Sequence, residues 1–278
     1  MSLKSFRDQL GREVLLQSRP TGIISLVPSQ TELLHDLGLE DEVIGITKFC
    51  IHPAIWRKKK TIIGGTKNLR FEEIYKLAPD LIIANKEENN RADIEKLEKN
   101  FPVWVSDVSG LPEALDMIKK VGEICGKQSK SALLAERISE SFDSCRDFFS
   151  NNKNKTFRVV YVIWRSPLMI AGGDTFISAM LREAGYANIF ENEKRYPEIT
   201  SEKLSDCKPD AILLSSEPYP FSQKHVEEFR LLCPSAKIIL VDGELFSWYG
   251  SRLQHSPAYF RELFIQHFLK NQPRFHEL

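Results

Sequence analysis

Apolar and polar residues alternate along the chain in a way that predicts strands and helices in turn. Continuous apolar runs bounded by turn residues predict buried strands, and apolar residues at steps of three and four predict the helices between them. This alternation predicts a mostly parallel sheet with helices on both faces. In the first half, strands are predicted at 22–27, 43–47, 61–63, 81–84 and 103–105, and helices at 31–37, 71–77, 91–99 and 112–124.

A long helical segment separates this half from a second one of similar organisation. Leu134, Ile138, Phe142, Cys145 and Phe149 form an apolar stripe, which predicts one helix of about 33 Å at 1.5 Å per residue. A polar run at 151–155 ends it. Beyond that run, strands are predicted at 157–163, 168–170, 211–215 and 237–241, and helices at 174–184, 201–207, 223–232 and 257–269.

One short pattern occurs twice, 130 residues apart. Residues 71–83 and 201–213 each predict a short helix, a Pro-Asp turn and a buried strand, with Pro79 and Pro209 in register. Two similar lobes in one chain commonly form a cleft that holds a ligand. We therefore predict an α/β fold of two doubly wound lobes with central parallel sheets, joined by one long helix. The predicted domains are an N-terminal lobe at 1–128, a linking helix at 129–155 and a C-terminal lobe at 156–278.

Charge and composition narrow the possible partners. Lys plus Arg and Asp plus Glu both number 38, and a net charge of zero argues against nucleic acid as a partner. No apolar stretch approaches the roughly 20 residues that span a bilayer, so no membrane span is predicted. The first residues lack the apolar region of a secretory signal. The protein is therefore expected either to stay in the cytoplasm or to have lost a signal. Five scattered cysteines fit a reducing compartment better than an oxidising one.

Candidate ligand-binding residues lie in loops that follow the predicted strands, because doubly wound sheets bind ligands beyond the carboxyl ends of their strands. Backbone N–H groups at the start of the first helix would face an acceptor. Turn residues around the Tyr219 and Trp248 segments favour exposed loops, although large aromatic residues also fill cores. An aromatic rim would suit a large, flat, amphipathic ligand. The candidates are Ser29, Gln30, Phe49, Glu87, Glu88, Trp164, Glu217, Tyr219, Phe221, Trp248, Tyr249 and Arg252.

Motifs for catalysis are missing from the sequence. It contains no Gly-x-Ser-x-Gly elbow, no phosphate loop and no His-Glu-x-x-His. His52, Glu88 and His255 could form a metal site across the cleft, but a single loop histidine is more often simply solvated. We predict no catalytic residue, no resident metal and no intrinsic cofactor; direct ion binding through His52 is the alternative.

Six motifs together resemble the helical-backbone (class III) substrate-binding proteins of ABC importers, specifically their cobalamin-binding branch. The resemblance covers nearly the whole chain. The motifs are Ile23-Ile-Ser-Leu-Val-Pro-Ser-Gln-Thr-Glu-Leu33, Gly64-Gly-Thr-Lys-Asn68, Leu77-Ala-Pro-Asp-Leu-Ile82, Lys208-Pro-Asp-Ala-Ile212, Val241-Asp-Gly-Glu244 and Ser247-Trp-Tyr-Gly-Ser-Arg252.

This resemblance implies a non-enzymatic protein that binds cobalamin or a related metal chelate between its lobes. In that family a glutamate from each lobe docks onto arginines of the membrane permease, and the matching positions are Glu72 and Glu202. From the residues alone, both glutamates would instead complement the dipole of their helix. The aromatic residues that sandwich the corrin would correspond to Phe49, Trp164 and the Trp248 loop.

Several alternatives stay open at this level. Phe49 stands where the family has a tyrosine, and the aromatic residue expected near Thr66 and Lys67 is absent. Haem, a ferric siderophore or another cobamide are therefore alternative ligands. A cytoplasmic enzyme or carrier that handles cobamides on the same fold is the rival class, since fold does not fix function. The protein is expected to be a monomer with a small-molecule ligand and an ABC importer permease as partners.

Overall fold

The computed structural model of the protein describes residues 3–152 and 156–269. It divides into two compact units, the first formed by Met1–Ile138 and Trp248–Arg252, the second by Ser139–Ser247 and Leu253–Leu278. The predicted lobes and linking helix include residues 1–2, 153–155 and 270–278, which lie outside the described residues.

A parallel sheet of five strands forms the centre of the first unit. Its strand order is β5-β4-β3-β6-β7, so the direction of winding reverses between β3 and β6. An antiparallel hairpin, β1–β2, precedes it and was not predicted. The strands are β1 (Lys4–Arg7), β2 (Glu13–Leu16), β3 (Ile23–Ser25), β4 (Val43–Ile46), β5 (Thr61–Ile62), β6 (Leu81–Asn85) and β7 (Val103–Ser106).

Helices connect these strands, and β3, β6 and β7 are buried throughout. That burial explains why these strands read as continuous apolar runs rather than as alternating patterns. The helices are α1 (Pro28–Asp36), α2 (Trp56–Lys59), α3 (Phe71–Leu77), α4 (Arg91–Leu97) and α5 (Leu111–Ile124).

One helix, α6 (Gln128–Asn152), carries the chain from the first unit into the second. The division between the units falls within it, between Ile138 and Ser139. Its buried positions include Ile138, Phe142 and Phe149, which belong to the apolar stripe of the sequence.

The second unit has its own parallel sheet, in the order β10-β8-β11-β12, with β9 antiparallel to β8. The winding reverses between β8 and β11. The strands are β8 (Phe157–Trp164), β9 (Met169–Ile170), β10 (Tyr186–Asn188), β11 (Ala211–Ser215) and β12 (Lys237–Val241). The helices are α7 (Phe176–Glu183), α8 (Ser201–Asp206), α9 (Gln223–Leu232), α10 (Glu244–Ser247) and α11 (Ser256–Phe264), with a 3-10 helix at Ser251–Gln254 and a π-helical turn at Ile265–Leu269.

The two copies of the repeated sequence have the same local conformation. Ala78 and Lys208, which precede the prolines, both adopt the left-handed region, with φ of 43° and 45°. The next corner residue is an aspartate that accepts backbone hydrogen bonds: Asp80 from Gly22 at 2.9 Å and Asp210 from Arg158 at 2.8 Å. Each Pro-Asp corner therefore ties its strand to the start of the neighbouring strand, β3 or β8.

Candidate functional site

The loop after β6 is held by the buried side chain of Asn85. Its Oδ1 atom accepts hydrogen bonds from the backbone N–H groups of Glu87 at 2.8 Å and Glu88 at 3.0 Å. Its Nδ2 atom donates to Ser106 Oγ at 2.9 Å. The sequence predicted both glutamates but not Asn85, although an amide at the end of a strand is a typical turn-forming signal. The half-buried glutamates therefore extend from a fixed backbone.

A second amide, Asn89, joins this loop to the loop after β5. Asn89 Oδ1 accepts from the backbone N–H of Asn85 at 2.8 Å, and Asn89 Nδ2 donates to the carbonyl of Thr66 at 3.0 Å. The Lys67 ammonium donates to the carbonyl of Glu87 at 2.5 Å. Two loops at the carboxyl edge of the first sheet are thus fixed to each other.

Ser29 and Gln30, at the start of α1, are buried. Gln30 Nε2 donates to Ser106 Oγ, so its side chain extends the Asn85 network. Gln30 Oε1 has no hydrogen-bond partner among the described residues. The side chains of Ser29 and Gln30 therefore pack in the interior. The sequence predicted that the backbone N–H groups of this segment, not its side chains, would face a ligand.

Phe49 lies just beyond β4 and is one of the most exposed aromatic residues of the first unit. The Lys48 ammonium is 5.0 Å from its ring centroid. Gly65 lies against the ring, since a Cβ atom there would be 3.1 Å from Phe49 Cε2. An exposed ring backed in this way offers a flat apolar surface beyond the edge of the sheet.

The residue after Phe49, Cys50, anchors the loop that follows β4 to the interior of the first unit. Cys50 is buried, and its Sγ atom lies 3.0 Å from Thr31 Oγ1 and 3.2 Å from Thr47 Oγ1. Burial raises the pKa of the Cys50 thiol, even though hydrogen bonds from both threonines oppose this. The thiol therefore stays protonated at neutral pH and acts as a packing group rather than as a nucleophile.

The prediction that Trp248 and Tyr249 are exposed is wrong. Both are only 7% exposed, and their segment belongs to the first unit although the sequence placed it in the C-terminal lobe. Gly250 fits closely against α1, since a Cβ atom there would lie 2.7 Å from the carbonyl oxygen of Ser29. The turn residues that suggested an exposed loop instead allow this close approach.

An ion pair fixes the same segment. Arg252 Nε donates to Glu32 Oε2 at 2.8 Å and Arg252 Nη2 to Glu32 Oε1 at 2.6 Å, a bidentate geometry. The Arg252 guanidinium lies 4.9 Å from the ring centroid of Trp248, whose ring meets His52 edge-on at 5.5 Å. Arg252 therefore has a structural partner in α1 that the sequence did not identify.

In the second unit, Trp164 ends β8 and is 37% exposed. Its Nε1 atom donates to the carbonyl of Ser166 at 3.0 Å, and its ring meets Tyr219 edge-on at 5.6 Å. The Tyr219 hydroxyl lies 3.2 Å from His225 Nε2. Phe221, by contrast, is only 6% exposed and belongs to the apolar core, so its predicted exposure is wrong. It packs between Tyr219 and Phe229.

The loop after β11 is held by a buried serine. The Ser215 hydroxyl donates to the carbonyl of Glu217 at 2.5 Å and lies 3.3 Å from the Glu217 backbone nitrogen. The Tyr161 hydroxyl donates to Ser215 Oγ at 3.1 Å, and Ser247 Oγ donates to Glu217 Oε1 at 2.7 Å. The Glu217 carboxylate is thereby oriented by a neighbouring hydroxyl.

Two further acidic residues in this unit were missed as candidates. Asp242 and Glu244 follow β12 and line a cavity of about 490 Å³. The Glu244 N–H donates to Asp242 Oδ1 at 3.0 Å. Both residues belong to the motif Val241-Asp-Gly-Glu244. Their position directly after a predicted strand was the signal that could have identified them. The carboxyl edge of each sheet therefore combines carboxylates with an exposed aromatic ring.

Glu72 and Glu202 occupy the same place in their helices. Each is the second residue of its helix, α3 or α8, and each is exposed. Hydrogen bonds from its own backbone N–H and from the Thr200 hydroxyl lower the pKa of Glu202. Both positions are accessible to a partner.

The described residues contain no group of three or more histidine, cysteine, aspartate or glutamate side chains that could hold a metal ion. Within the same residues, no helix is long and apolar enough to cross a membrane.

Comparison with known proteins identifies similar sequences. A sequence profile of the family described as periplasmic binding proteins matches residues 23–232. An ABC transporter substrate-binding lipoprotein of Bacillus subtilis is 26% identical over 74% of this chain and 67% of its own length. A vitamin B12-binding protein of Yersinia pseudotuberculosis is 25% identical over 69% of each chain.

Solved structures show the same fold. The periplasmic vitamin B12 binding protein of Vibrio cholerae matches with a TM-score of 0.78 and 19% identity, over 91% of this chain and 99% of that one. A periplasmic heme binding protein of Pseudomonas aeruginosa matches equally well, with a TM-score of 0.78 and 20% identity, over 91% and 95% of the two chains. The predicted α/β fold class is confirmed, and at these identities the similarity concerns the fold alone.

Proposed function

Since the chain belongs to the periplasmic binding protein family, we propose that it is a non-enzymatic receptor that binds a corrinoid and delivers it to an ABC importer. The predicted resemblance to binding proteins of ABC importers is confirmed at the level of the family. Because the relatives are named as periplasmic proteins or lipoproteins, the proposed place of action is outside the cytoplasm.

The observation that carries this proposal is the pairing of exposed rings with carboxylates at the carboxyl edge of each sheet. Phe49 accompanies Glu87 and Glu88 in the first unit, and Trp164 accompanies Glu217 in the second. Ionised carboxylates only accept hydrogen bonds. They therefore suit a ligand with apolar faces and a rim of donors, which is the chemistry of a corrin ring bearing amide side chains.

The same carboxylates disfavour the alternative ligands. Haem carries two propionates, and many ferric siderophores are anionic, so both would meet like charges at these loops. Similarity to the vitamin B12-binding protein of Yersinia pseudotuberculosis at 25% identity supports the corrinoid.

The proposed ligand contacts are the exposed or half-buried candidates Phe49, Glu87, Glu88, Trp164, Glu217 and Tyr219. Trp248, Tyr249 and Arg252 would act mainly by shaping the loop next to His52, because they are packed in the first unit. Ser29 and Gln30 would contribute through the backbone at the start of α1. Phe221 is not proposed as a contact, since it belongs to the core.

Glu72 and Glu202 are proposed to dock onto the permease of the importer. Their shared position at the exposed start of a helix in each unit supports this role. Reversing both to lysine should abolish transport by the reconstituted importer and leave ligand affinity unchanged. If ligand affinity fell instead, the docking role would be wrong.

Calorimetric titration of the purified protein with cyanocobalamin tests the ligand, with haemin and a ferric siderophore as parallel probes. We expect 1:1 binding of cyanocobalamin at about micromolar Kd or tighter, and weaker binding of both anionic probes. Phe49→Ala and Trp164→Ala should weaken cyanocobalamin binding. Preferential binding of haemin or the siderophore would replace the corrinoid as the proposed ligand, and no binding of any probe would overturn the proposed function.

A further inference from the structure

The connection between β4 and β5 presents apolar and basic side chains next to each other. Ile51 and Ile55 are 38% and 47% exposed, and the exposed Arg57 and Lys58 follow in α2. The backbone N–H groups of Lys58 and Lys59 donate to the carbonyl of Ile55 at 3.1 and 3.2 Å. This turn of helix places Ile55 on the face that carries the two lysines.

Positive charge is concentrated here although the whole chain is neutral. Residues 57–60 are four consecutive cations in a chain whose net charge is zero. Lys59 forms an ion pair with Glu40 at 3.1 Å, and Lys60 donates to the Glu40 carbonyl. Among the described residues, neither Arg57 nor Lys58 has an ion-pair partner. Ile55 therefore shares its face of the helix with Lys58, which has no such partner, and Arg57 adds a second exposed cation to the same turn.

Aliphatic side chains beside cations are typical of segments that lie in the interface of an anionic bilayer. The aliphatic groups enter the boundary between headgroups and acyl chains, and the cations attract the phosphates. A protein partner would instead favour aromatic and arginine anchors, whereas three of the four cations here are lysines, which protein interfaces disfavour. Nucleic acid would contact the cations through its phosphates but would offer no apolar surface to the two isoleucines. Lipid is therefore the surface that uses both kinds of side chain.

We propose that residues 51–60 form a membrane-surface contact that recognises anionic phospholipid. Ile51 and Ile55 enter the headgroup region, while Arg57 and Lys58 contact lipid phosphates. The four side chains that make the contact, Ile51, Ile55, Arg57 and Lys58, are not among the proposed ligand contacts. The contact therefore adds a second attachment to a protein whose proposed task is carried out next to a bilayer.

Co-sedimentation of the full chain with sonicated vesicles tests this contact. We expect binding to vesicles of equal parts phosphatidylglycerol and phosphatidylcholine at low salt, and little binding to pure phosphatidylcholine. The double variant Arg57→Gln/Lys58→Gln should weaken the partition coefficient by roughly 30-fold, from the contribution of two cations near an anionic surface. Ile55→Ser should weaken it by about tenfold, because an apolar side chain is lost from the interface.

A matched control removes the same charge elsewhere in the first unit. Lys119 and Lys130 are exposed and lie on α5 and α6, and Lys119→Gln/Lys130→Gln should change binding less than threefold, since it lowers only the net charge. An equal loss in this control, or equal binding to neutral vesicles, would overturn the proposal. Binding to neutral vesicles only when they contain the permease would also overturn the proposal, because it would indicate a protein partner.

Ligand binding is measured on the same variants to keep the two proposals separate. Cyanocobalamin affinity should be unchanged in Arg57→Gln/Lys58→Gln. If the wild type binds anionic vesicles as expected but binds no cyanocobalamin, the membrane contact stands and the proposed function fails. If it binds cyanocobalamin but no vesicles, the reverse holds.

Discussion

The loops after β6 and β11 are held by hydrogen bonds with different side chains at the ends of the two strands. Each strand ends in a buried polar residue, Asn85 or Ser215, that bonds to the backbone of the glutamate two residues later. Asn85 belongs to a network of amides that includes Asn89 and Gln30. Ser215 has instead one tyrosine hydroxyl, from Tyr161, donating to it.

The difference shows which part of a duplicated element is fixed and which part can vary. The Pro-Asp corner before each strand has kept its left-handed residue and its aspartate. The loops after the strands have diverged in every residue except the glutamate. The corner sets the backbone path of its strand, whereas the loops lie beyond the strand and can change without altering that path.

The largest expected effect distinguishes the two strand ends by stability. Asn85→Ala removes the acceptor of two backbone N–H groups and a donor to Ser106, so we expect a loss of about 3 kcal/mol in the free energy of unfolding. Ser215→Ala should cost about 1 kcal/mol, because fewer groups lose a partner. Urea denaturation followed by circular dichroism measures both. Equal losses would mean that the amide network adds nothing beyond the shared hydrogen bond.

The two glutamates should matter equally for the proposed ligand. Glu87→Gln and Glu217→Gln each convert a charge-assisted hydrogen bond into a neutral one, so we expect each to weaken cyanocobalamin binding by about tenfold. Calorimetric titration measures this, and Glu95→Gln on exposed α4 serves as the control. An effect confined to one glutamate would show that only one sheet edge contacts the ligand.

The dependence of stability on pH tests the role of the aspartate in the Pro-Asp corner before β6. Partial burial acts to raise the pKa of Asp80, but hydrogen bonds from Thr21 and Gly22 outweigh it and lower that pKa. A lowered pKa in the folded state means that the carboxylate stabilises the fold above its unfolded pKa, about 3.9, and that this contribution is lost as pH falls through the folded value.

Asp80→Asn should therefore lower the free energy of unfolding at pH 7 by about 1 kcal/mol, allowing for its exposure. The variant should also lose less stability than the wild type between pH 5 and pH 2. Denaturation curves across this range give the comparison. An unchanged acid profile would remove the corner carboxylate as a cause of acid sensitivity.

The smallest expected effect concerns the starts of the two repeated helices. Thr200 caps α8 by accepting from the backbone N–H of Lys203 at 3.1 Å, whereas the residue before α3, Arg70, makes no side-chain cap. Thr200→Ala should cost about 0.5 kcal/mol in stability, and it should raise the pKa of Glu202, since the Thr200 hydroxyl lowers it. Carboxyl NMR titration measures the pKa. Arg70→Ala should leave the stability of α3 nearly unchanged.

The sequence predicted the buried strands well because their apolar runs are continuous. β6 and β11, for example, lie within one or two residues of their predicted limits. It failed for the β1–β2 hairpin and for β10, which have only three or four residues each. β1 and β10 contain few adjacent apolar positions, and the apolar run of β2 is limited to Val14, Leu15 and Leu16. Short strands depend on tertiary neighbours that a local pattern does not contain.

For the candidate site, the sequence predicted the loops but not the burial within them. Turn residues around Trp248 and Phe221 suggested exposure, yet Gly250 allows close packing on α1 and Phe221 lies in the core. The partner of Arg252 is Glu32, 220 residues away, and spacing along the chain cannot reveal such a pair. Asn85 was passed over because its role is to hold backbone rather than to face a ligand.

The return of Trp248–Arg252 to the first unit affects the order in which the protein can be completed during synthesis. The first unit is assembled from Met1–Ile138 and from the five residues Trp248–Arg252, which follow most of the second unit in the chain. On the ribosome, Arg252 follows Glu32 by 220 residues, so the bidentate ion pair must wait until most of the second unit has been made. The first unit therefore cannot be finished before most of the second has been synthesised, and a fragment ending at residue 138 would lack a piece of its own fold.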